Sequence, residues 1–250
     1  MATSEITTIL SGVSRGIGRA MAEQLARSGQ RVIALSRNSV PELQEIAKAN
    51  QTDWNELLVD LSDRNQTDEA GQALKAMLKD VKNARIILNA GIVMPIVPAD
   101  HLTNLDEIAA AFDINIVAPI YLTGCFLQGT QQAADRRIMI ISSGAGRNAS
   151  KSWSVYCATK AAVDRFSEAV HIEEHPNVRI SAVAPGIVDT PMQETIRGTD
   201  ESLFPNREKF QNFYSQGQLA SATETADKLL NLLNRDDYGS TVLDDVRQYT

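Results

Sequence analysis

Short apolar runs alternate with longer amphipathic stretches along the whole chain. The runs are Ile6–Leu10, Arg31–Leu35, Trp54–Val59, Arg85–Asn89, Arg137–Ser142 and Arg179–Val183. Each is of strand length and mostly unbroken by polar positions, the pattern of parallel strands buried on both faces. Between them, apolar positions recur at helical spacing over Ile17–Ser28, Pro41–Ala49, Arg64–Leu78, Leu105–Thr130 and Ser152–Glu174. A last helix fits Thr223–Leu233, ahead of an edge strand at Ser240–Leu243. Repeated strand–helix alternation demands right-handed crossovers, so the expected fold class is α/β, a doubly wound parallel sheet of about seven strands flanked by helices. One stretch breaks the rhythm. From Pro185 to about Ala220 the chain is too polar and interrupted for core structure, and a long loop in a compact fold is usually functional. A lid over a site is therefore expected at about 190–217.

Composition adds limits rather than a function. With 250 residues, and no linker, repeat or change in composition, residues 1–250 are expected to form a single domain. Hydrophobic residues make up 43% and charged residues 22%, the balance of ordinary globular proteins. The net charge of -7 argues against a nucleic-acid partner, which needs surplus Lys and Arg, but leaves room for a local basic cluster. Cys125 and Cys157 have no metal-ligand spacing with each other or with His101, His171 and His175, so no metal site is expected. The N-terminus lacks a basic start followed by a long apolar run, and no apolar stretch approaches the roughly 18 residues that span a bilayer. A cytoplasmic location, without membrane contact, is the expectation.

The strongest local chemistry lies after the first strand. Ser11-Gly12-Val13-Ser14-Arg15-Gly16-Ile17-Gly18 carries the run from strand to helix. Gly12 allows the sharp turn, Gly16 leaves room for backbone to approach a pyrophosphate, and Gly18 lets the helix pack closely on the sheet. The free N–H groups and positive end of the helix would then face phosphates. This is the phosphate turn of a Rossmann-type dinucleotide fold. The second strand ends in Ser36-Arg37-Asn38, where an NAD site usually places an acid on the ribose hydroxyls. Arg37 can form a bidentate pair with a 2′-phosphate, Arg15 can close on it from the other side, and Ser14 can add a hydroxyl. NADP(H) is therefore the expected cofactor.

Tyr156 and Lys160 are four residues apart in a helical stretch, so their side chains share a face. Ser143 follows an apolar strand and so lies at a strand's carboxyl end, where open α/β sheets bind ligands. Lys160 is expected to lower the pKa of the Tyr156 phenol so that it can work as an acid near neutral pH, and Ser143 to stabilise a developing oxyanion.

Taken together, the sequence resembles the short-chain dehydrogenases/reductases over nearly its whole length. The residues that carry the resemblance are Gly12–Gly18, Asp60, Asn89-Ala90-Gly91, Asn115, Ser143, Tyr156, Lys160 and Pro185-Gly186. Ala184–Thr190, continuing into Met192-Gln193, is similar to the branch of benzil reductases and sepiapterin-reductase-like enzymes. Two departures are small: Leu88 replaces the first Asn of the usual Asn-Asn-Ala-Gly, and Ser11 replaces a Thr. The resemblance implies a carbonyl reductase with Tyr156 as general acid and Lys160 bonded to the nicotinamide ribose. It further implies Asn115 in a water-linked proton relay and a homodimer or homotetramer. Asp60 would accept from the adenine amino group, with Leu61 beside it. Asn89, Ala90 and Gly91 would line the adenine ribose, and Ile187, Val188 and Thr190, past Pro185-Gly186, would meet the carboxamide.

A small carbonyl substrate should sit among Val93, Met94, Val97, Trp153, Met192, Phe204, Phe210, Phe213 and Tyr214, which favours apolar, aromatic ketones or diketones. One alternative is a ketoacyl-carrier-protein reductase. It needs a basic rim, whereas residues 191–217 set Arg197, Arg207 and Lys209 against Glu194, Asp200, Glu201 and Glu208. Another is a non-catalytic NADPH-sensing protein, which has no need of Ser143, Tyr156 and Lys160 together.

Overall fold

The structure, a computed structural model, describes residues 6–249. Six strands follow the apolar runs: β1 (Ile6–Ser11), β2 (Arg31–Ser36), β3 (Asp53–Leu58), β4 (Asn83–Leu88), β5 (Asp135–Ile141) and β6 (Val178–Ala184). The edge strand β7 is Leu243–Asp245, displaced from the expected Ser240–Leu243. All pair in parallel in the order β3-β2-β1-β4-β5-β6-β7. The chain winds outward from β1 to β3 and then crosses to β4, so the sheet opens a crevice between the carboxyl ends of β1 and β4.

Helices cover both faces. On one lie α1 (Gly16–Ala26), α2 (Pro41–Ala49) and α9 (Ala222–Asn234); Met21, Leu43 and Leu229 are buried there against Val32 and Ile87. On the other lie α3 (Arg64–Met77), α4 (Leu105–Phe112), α5 (Ala118–Gly129) and α6 (Ser154–Ile172), burying Leu74, Phe126 and Val163 against Ile86 and Ile138. Buried residues in unbroken runs explain why periodicity found these strands, except for β3, an edge strand with no fully buried residue.

Two expectations change. The stretch after Pro185 is not irregular but carries α7 (Pro191–Gly198) and α8 (Arg207–Ser215). Pro191 starts the first at a position where a missing N–H costs nothing. Ile196 is the one buried residue of α7, and α8 has none, too thin an apolar stripe to read from sequence. The second change concerns length. α4 and α5 join through a π-helical segment, Asp113–Val117, into one helix of 25 residues, within which an 18-residue stretch has mean hydropathy 1.5. By length and composition it could cross a bilayer, contrary to the expectation that no stretch would. Half of that stretch is buried inside the fold, where α5 packs on α3 and α4 on α6.

At the amino ends of the strands, Arg85, Arg137 and Arg179 stand side by side in register on β4, β5 and β6. Asp135 accepts from Arg137 at 2.8 Å and from Arg179 at 2.6 Å. Arg137 also donates to the carbonyls of Leu233 and Arg235, and Arg179 to that of Asp236. The arginines thus satisfy the last carbonyls of α9, where positive charge is favoured. Burial, with Arg137 alongside, pushes Arg85 down to about 10.

Candidate active site

A cavity of about 440 Å³ occupies the crevice, within the usual range for a small-molecule site. At its head is the turn after β1. Gly12 and Gly16 have φ of +78° and +56°, values that side chains resist. A Cβ on Gly18 would lie 2.0 Å from the Gly12 carbonyl, so α1 meets the turn in direct backbone contact. Arg15 caps α1 in extended conformation without a side-chain cap bond, and the first turn holds no acid. The N–H groups there are left for an anion.

Asn89 braces this turn. Its Nδ2 donates to the carbonyls of Ser11 (3.1 Å) and Gly12 (3.2 Å), while the Ser11 hydroxyl accepts from the backbone N–H of Asn89 and Ala90. The sequence placed Asn89 along the adenine ribose; the brace made by its side chain forms only when β4 pairs with β1. The walls of the cavity include Ser14, Arg15, Ile17 and Arg37, together with Asp60, Leu61, Ala90 and Gly91. The Asp60 carboxylate accepts from the N–H and hydroxyl of Ser62, and these bonds, with Arg37 nearby, hold it below the usual carboxylate range.

Tyr156 and Lys160 also line the cavity, as do Pro185, Thr190 and Met192, with Thr190 beside Gly16 of the turn. Both project from α6 and both are more than nine-tenths buried. Lys160 Nζ donates to the Ile141 carbonyl at 2.8 Å and lies 5.8 Å from the Tyr156 ring centre. The expected lowering of the tyrosine is not what this geometry gives. Burial pushes Tyr156 up to about 12, against a smaller opposing effect of Ser143. Burial likewise drives Lys160 down to about 8, with Asp164 opposing. Loss of water outweighs the hydrogen bond at Tyr156 and the charge pairing at Lys160.

Asn115 sits in the π-helical segment. Its amide accepts from Ile92 N–H (2.9 Å) and donates to the Ile92 carbonyl (2.8 Å) and the Thr159 hydroxyl (3.1 Å). It is buried behind the cavity, not on its wall. Gly91 separates it from Lys160: a Cβ there would lie 3.2 Å from Asn115 Oδ1 and 3.6 Å from Lys160 Nζ. π-Helical turns recur at functional sites.

Other expected residues lie off the main cavity wall. Gly186 and Ile187 line a smaller cavity of about 160 Å³ behind the loop. Val188 is buried and bridges to Ala220. Asn38 is exposed, and Ser36 Oγ donates to its carbonyl. Ser143 is half-buried, its Oγ accepting from Ala145 N–H.

The expected aromatic pocket is in large part a packed cluster. Phe204 is fully buried and stacks on Trp153, 5.4 Å between ring centres. Trp153 also meets Tyr156 edge-on at 5.6 Å. Val93, Ile96 and Ile196 complete the buried set, with Met192 and Phe210 packed against it. Of the nine residues assigned to the pocket, Met192 is the one on the main cavity wall, while Met94 and Tyr214 face solvent. Apolar spacing in a lid cannot distinguish wall from packing behind it.

A family profile described as short chain dehydrogenase matches residues 7–201. The chain belongs to the short chain dehydrogenase family. It is an oxidoreductase of that family with one doubly wound Rossmann-type domain. Benzil reductase ((S)-benzoin forming) of Bacillus cereus is 34% identical over 236 residues, covering 92% of this chain and 94% of that protein. Sepiapterin reductase of Rattus norvegicus is 32% identical over 245 residues, covering 93% and 92%. Among solved structures, the KRED1-Pglu enzyme superposes with a TM-score of 0.80 at 25% identity, over 94% of this chain and 98% of that one. The branch that the 184–193 segment resembled is thus the branch of these relatives.

Proposed function

We propose that this short chain dehydrogenase is an NADPH-dependent carbonyl reductase acting on aryl ketones or diketones, with Tyr156 as proton donor. The observation that carries the reading is the burial of Tyr156 and Lys160 side by side in a cavity that also holds an uncapped, glycine-turned helix terminus. The residues fit the cofactor. The glycine turn has no Cβ where a pyrophosphate would approach, and Arg15 and Arg37 line the same wall with no acid at the end of β2. When bound, NADPH supplies the hydride.

The chain's own residues do the rest. Burial keeps the Tyr156 phenol protonated at neutral pH. A phenol is still a stronger acid than an alcohol, so proton transfer to a developing alkoxide runs downhill. Ser143 faces the phenol and would hold the carbonyl oxygen between the two hydroxyls. Lys160, anchored on the Ile141 carbonyl, would place its charge beside the phenolate left behind and bond the cofactor ribose. Asn115 would hand protons onward past Gly91. Asp60, Leu61, Asn89, Ala90 and Gly91 would bind the adenosine half, and Pro185 to Thr190, with the lid of α7 and α8, the nicotinamide half. Met192 gives the substrate end an apolar wall, backed by Trp153 and the aromatic cluster, in keeping with the benzil-reductase relative.

The test is NADPH oxidation with benzil and with small aliphatic diketones, in parallel with NADH, for wild type, Tyr156→Phe and Arg37→Asp. Expected are a preference for NADPH, loss of about 10²–10⁴ in rate for Tyr156→Phe, and a shift toward NADH for Arg37→Asp. Full activity in Tyr156→Phe would refute the acid assignment, and an unchanged cofactor ratio in Arg37→Asp would refute the 2′-phosphate assignment. Leu105, Phe112, Val117 and Ile120 leave large apolar side chains exposed along α4 and α5. This favours a homodimer or homotetramer closed over that face. A monomeric mass by light scattering would remove that part of the reading.

A further inference from the structure

Below the proposed active-site lysine lies a buried carboxylate that the mechanism above does not use. Asp164 is one helical turn beyond Lys160 on α6 and is 4% exposed. The Ser142 hydroxyl donates to its Oδ1, and Arg147 Nε approaches its Oδ2 at 3.4 Å. Arg147 in turn donates to the carbonyls of Ala182 (3.1 Å) and Asp244 (3.0 Å) on β6 and β7. Ser142 stands between Ile141, whose carbonyl holds Lys160, and Ser143. The contact is tight because residue 146 is a glycine: a Cβ there would lie 2.8 Å from Asp164 Oδ2 and from the Lys160 carbonyl carbon.

We propose that Asp164 is a positioning residue of this site: through Ser142 and Arg147 it ties the end of β5 to α6, and it sets a fixed negative charge beneath Lys160. The inference rests on the reading of Lys160 as the site's cation. One carboxylate then joins the two halves of the machinery, the strand end bearing Ser143 and the helix bearing Tyr156 and Lys160. Burial raises Asp164, while Ser142, Arg147 and Lys160 favour its charged form. The titratable groups around it are few. Tyr156, Cys157 and Lys160 share its helix. Arg147 comes from the loop after β5, Asp244 and Asp245 from β7, and Asp113, paired with Arg64, from the π-helical segment.

The sign of its effect is fixed by electrostatics. The reductive form of the site has Tyr156 protonated and Lys160 charged. Deleting a nearby negative charge lets the first proton leave more readily, whichever of the two groups loses it. Deleting the positive charge of Arg147 acts in the opposite direction while Asp164 stays ionised, the form that Ser142 and Lys160 still favour.

The test is a ¹³Cε-lysine NMR titration of the whole protein, with the Lys160 signal identified by its absence in Lys160→Met. Wild type is expected to titrate near 8. Asp164→Asn, which keeps the shape of the side chain, should titrate lower by about one pH unit, and Arg147→Gln should titrate higher. A purely structural brace would not move the two variants in opposite directions. Shifts of the same sign, or none in either, overturn the proposal. If Asp164→Asn does not fold, Asp164→Ser, which removes the same charge, is titrated in its place and must show the same downward shift. The basic limb of the pH–rate profile with benzil should move with each titration. Opposite NMR shifts in a protein that oxidises NADPH with no carbonyl compound would support the Asp164 role and sink the reductase reading alone.

Discussion

Replacing Gly18 by alanine adds one methyl group at the most crowded point of the cofactor turn. The added carbon would lie 2.0 Å from the Gly12 carbonyl oxygen and 2.3 Å from Asn89 Nδ2, against 3.4 Å for ordinary contact. Neither neighbour can step aside freely. The carbonyl is backbone, and the Asn89 amide is held by two hydrogen bonds to Ser11 and Gly12. The first turn of α1 must therefore withdraw by more than an ångström or the Asn89 brace must break. Overpacking costs about 1–3 kcal/mol, and each lost hydrogen bond about 1 kcal/mol, so a total of about 3–5 kcal/mol is expected. For a chain of this size that lowers Tm by roughly 10 °C. The assay is thermal unfolding followed by circular dichroism, with NADPH affinity measured by nucleotide fluorescence. Affinity should fall at least as clearly as stability, because the displaced N–H groups are those aimed at the pyrophosphate. Gly124→Ala is the matched control: no atom lies within 4 Å of the added carbon, and a gain of about 0.5–1 kcal/mol is expected in mid-helix. Gly18→Ala melting within a degree or two of wild type, with unchanged NADPH affinity, would refute the reasoning.

Lys160→Met should abolish turnover yet stabilise the fold at neutral pH, because the buried lysine titrates near 8 instead of 10.5. That difference corresponds to about 3 kcal/mol, reduced by the lost bond to Ile141. The unfolded chain binds the extra proton between pH 8 and 10.5, so wild-type stability rises across that window; urea titrations should show the mutant's advantage fading there, and a constant advantage would contradict it. Arg137→Met should cost about 3–5 kcal/mol by leaving Asp135 under-paired, with part recovered in Arg137→Met/Asp135→Leu; a double variant no better than the single would exclude that cause. Phe204→Ala should cost about 3–5 kcal/mol and open residues 199–217 to limited proteolysis, a pattern unchanged from wild type being the contrary result.

The sheet and its flanking helices were legible because their apolar residues are buried by rule: unbroken runs for strands covered on both faces, one stripe for each helix. The glycine turn was legible for a steric reason, since Gly12, Gly16 and Gly18 each stand where a side chain would collide or strain. What escaped was side-chain partnership across the fold. Nothing local in the sequence indicates that Asn89 braces the turn or that Asp164 meets Ser142 and Arg147, which come together only when β5, α6 and β7 are assembled. The protonation of Tyr156 depends on the assembled fold for a related reason. Spacing brought Lys160 near, but the degree of burial, which dominates at both groups, is set by the lid and Trp153. The lid helices themselves were missed because Ile196 is the single buried residue that α7 offers.

The π-helical turn at Asp113–Val117 couples two surfaces that would otherwise be free to change separately. Each residue of a helix advances its direction by about 100°, so the extra residue of a wide turn resets the azimuth of everything that follows. Asn115 looks inward from that turn toward Ile92 and Thr159, while Val117 and Ile120 look outward just beyond it. Removing one residue to regularise the helix would swing the outer apolar stripe around the axis, or else rotate the asparagine away from Ile92. Insertions and deletions here are therefore barred from both sides. The segment can drift by substitution but hardly by length, and the bearing of any assembly built on its outer face is inherited from the geometry of the cleft.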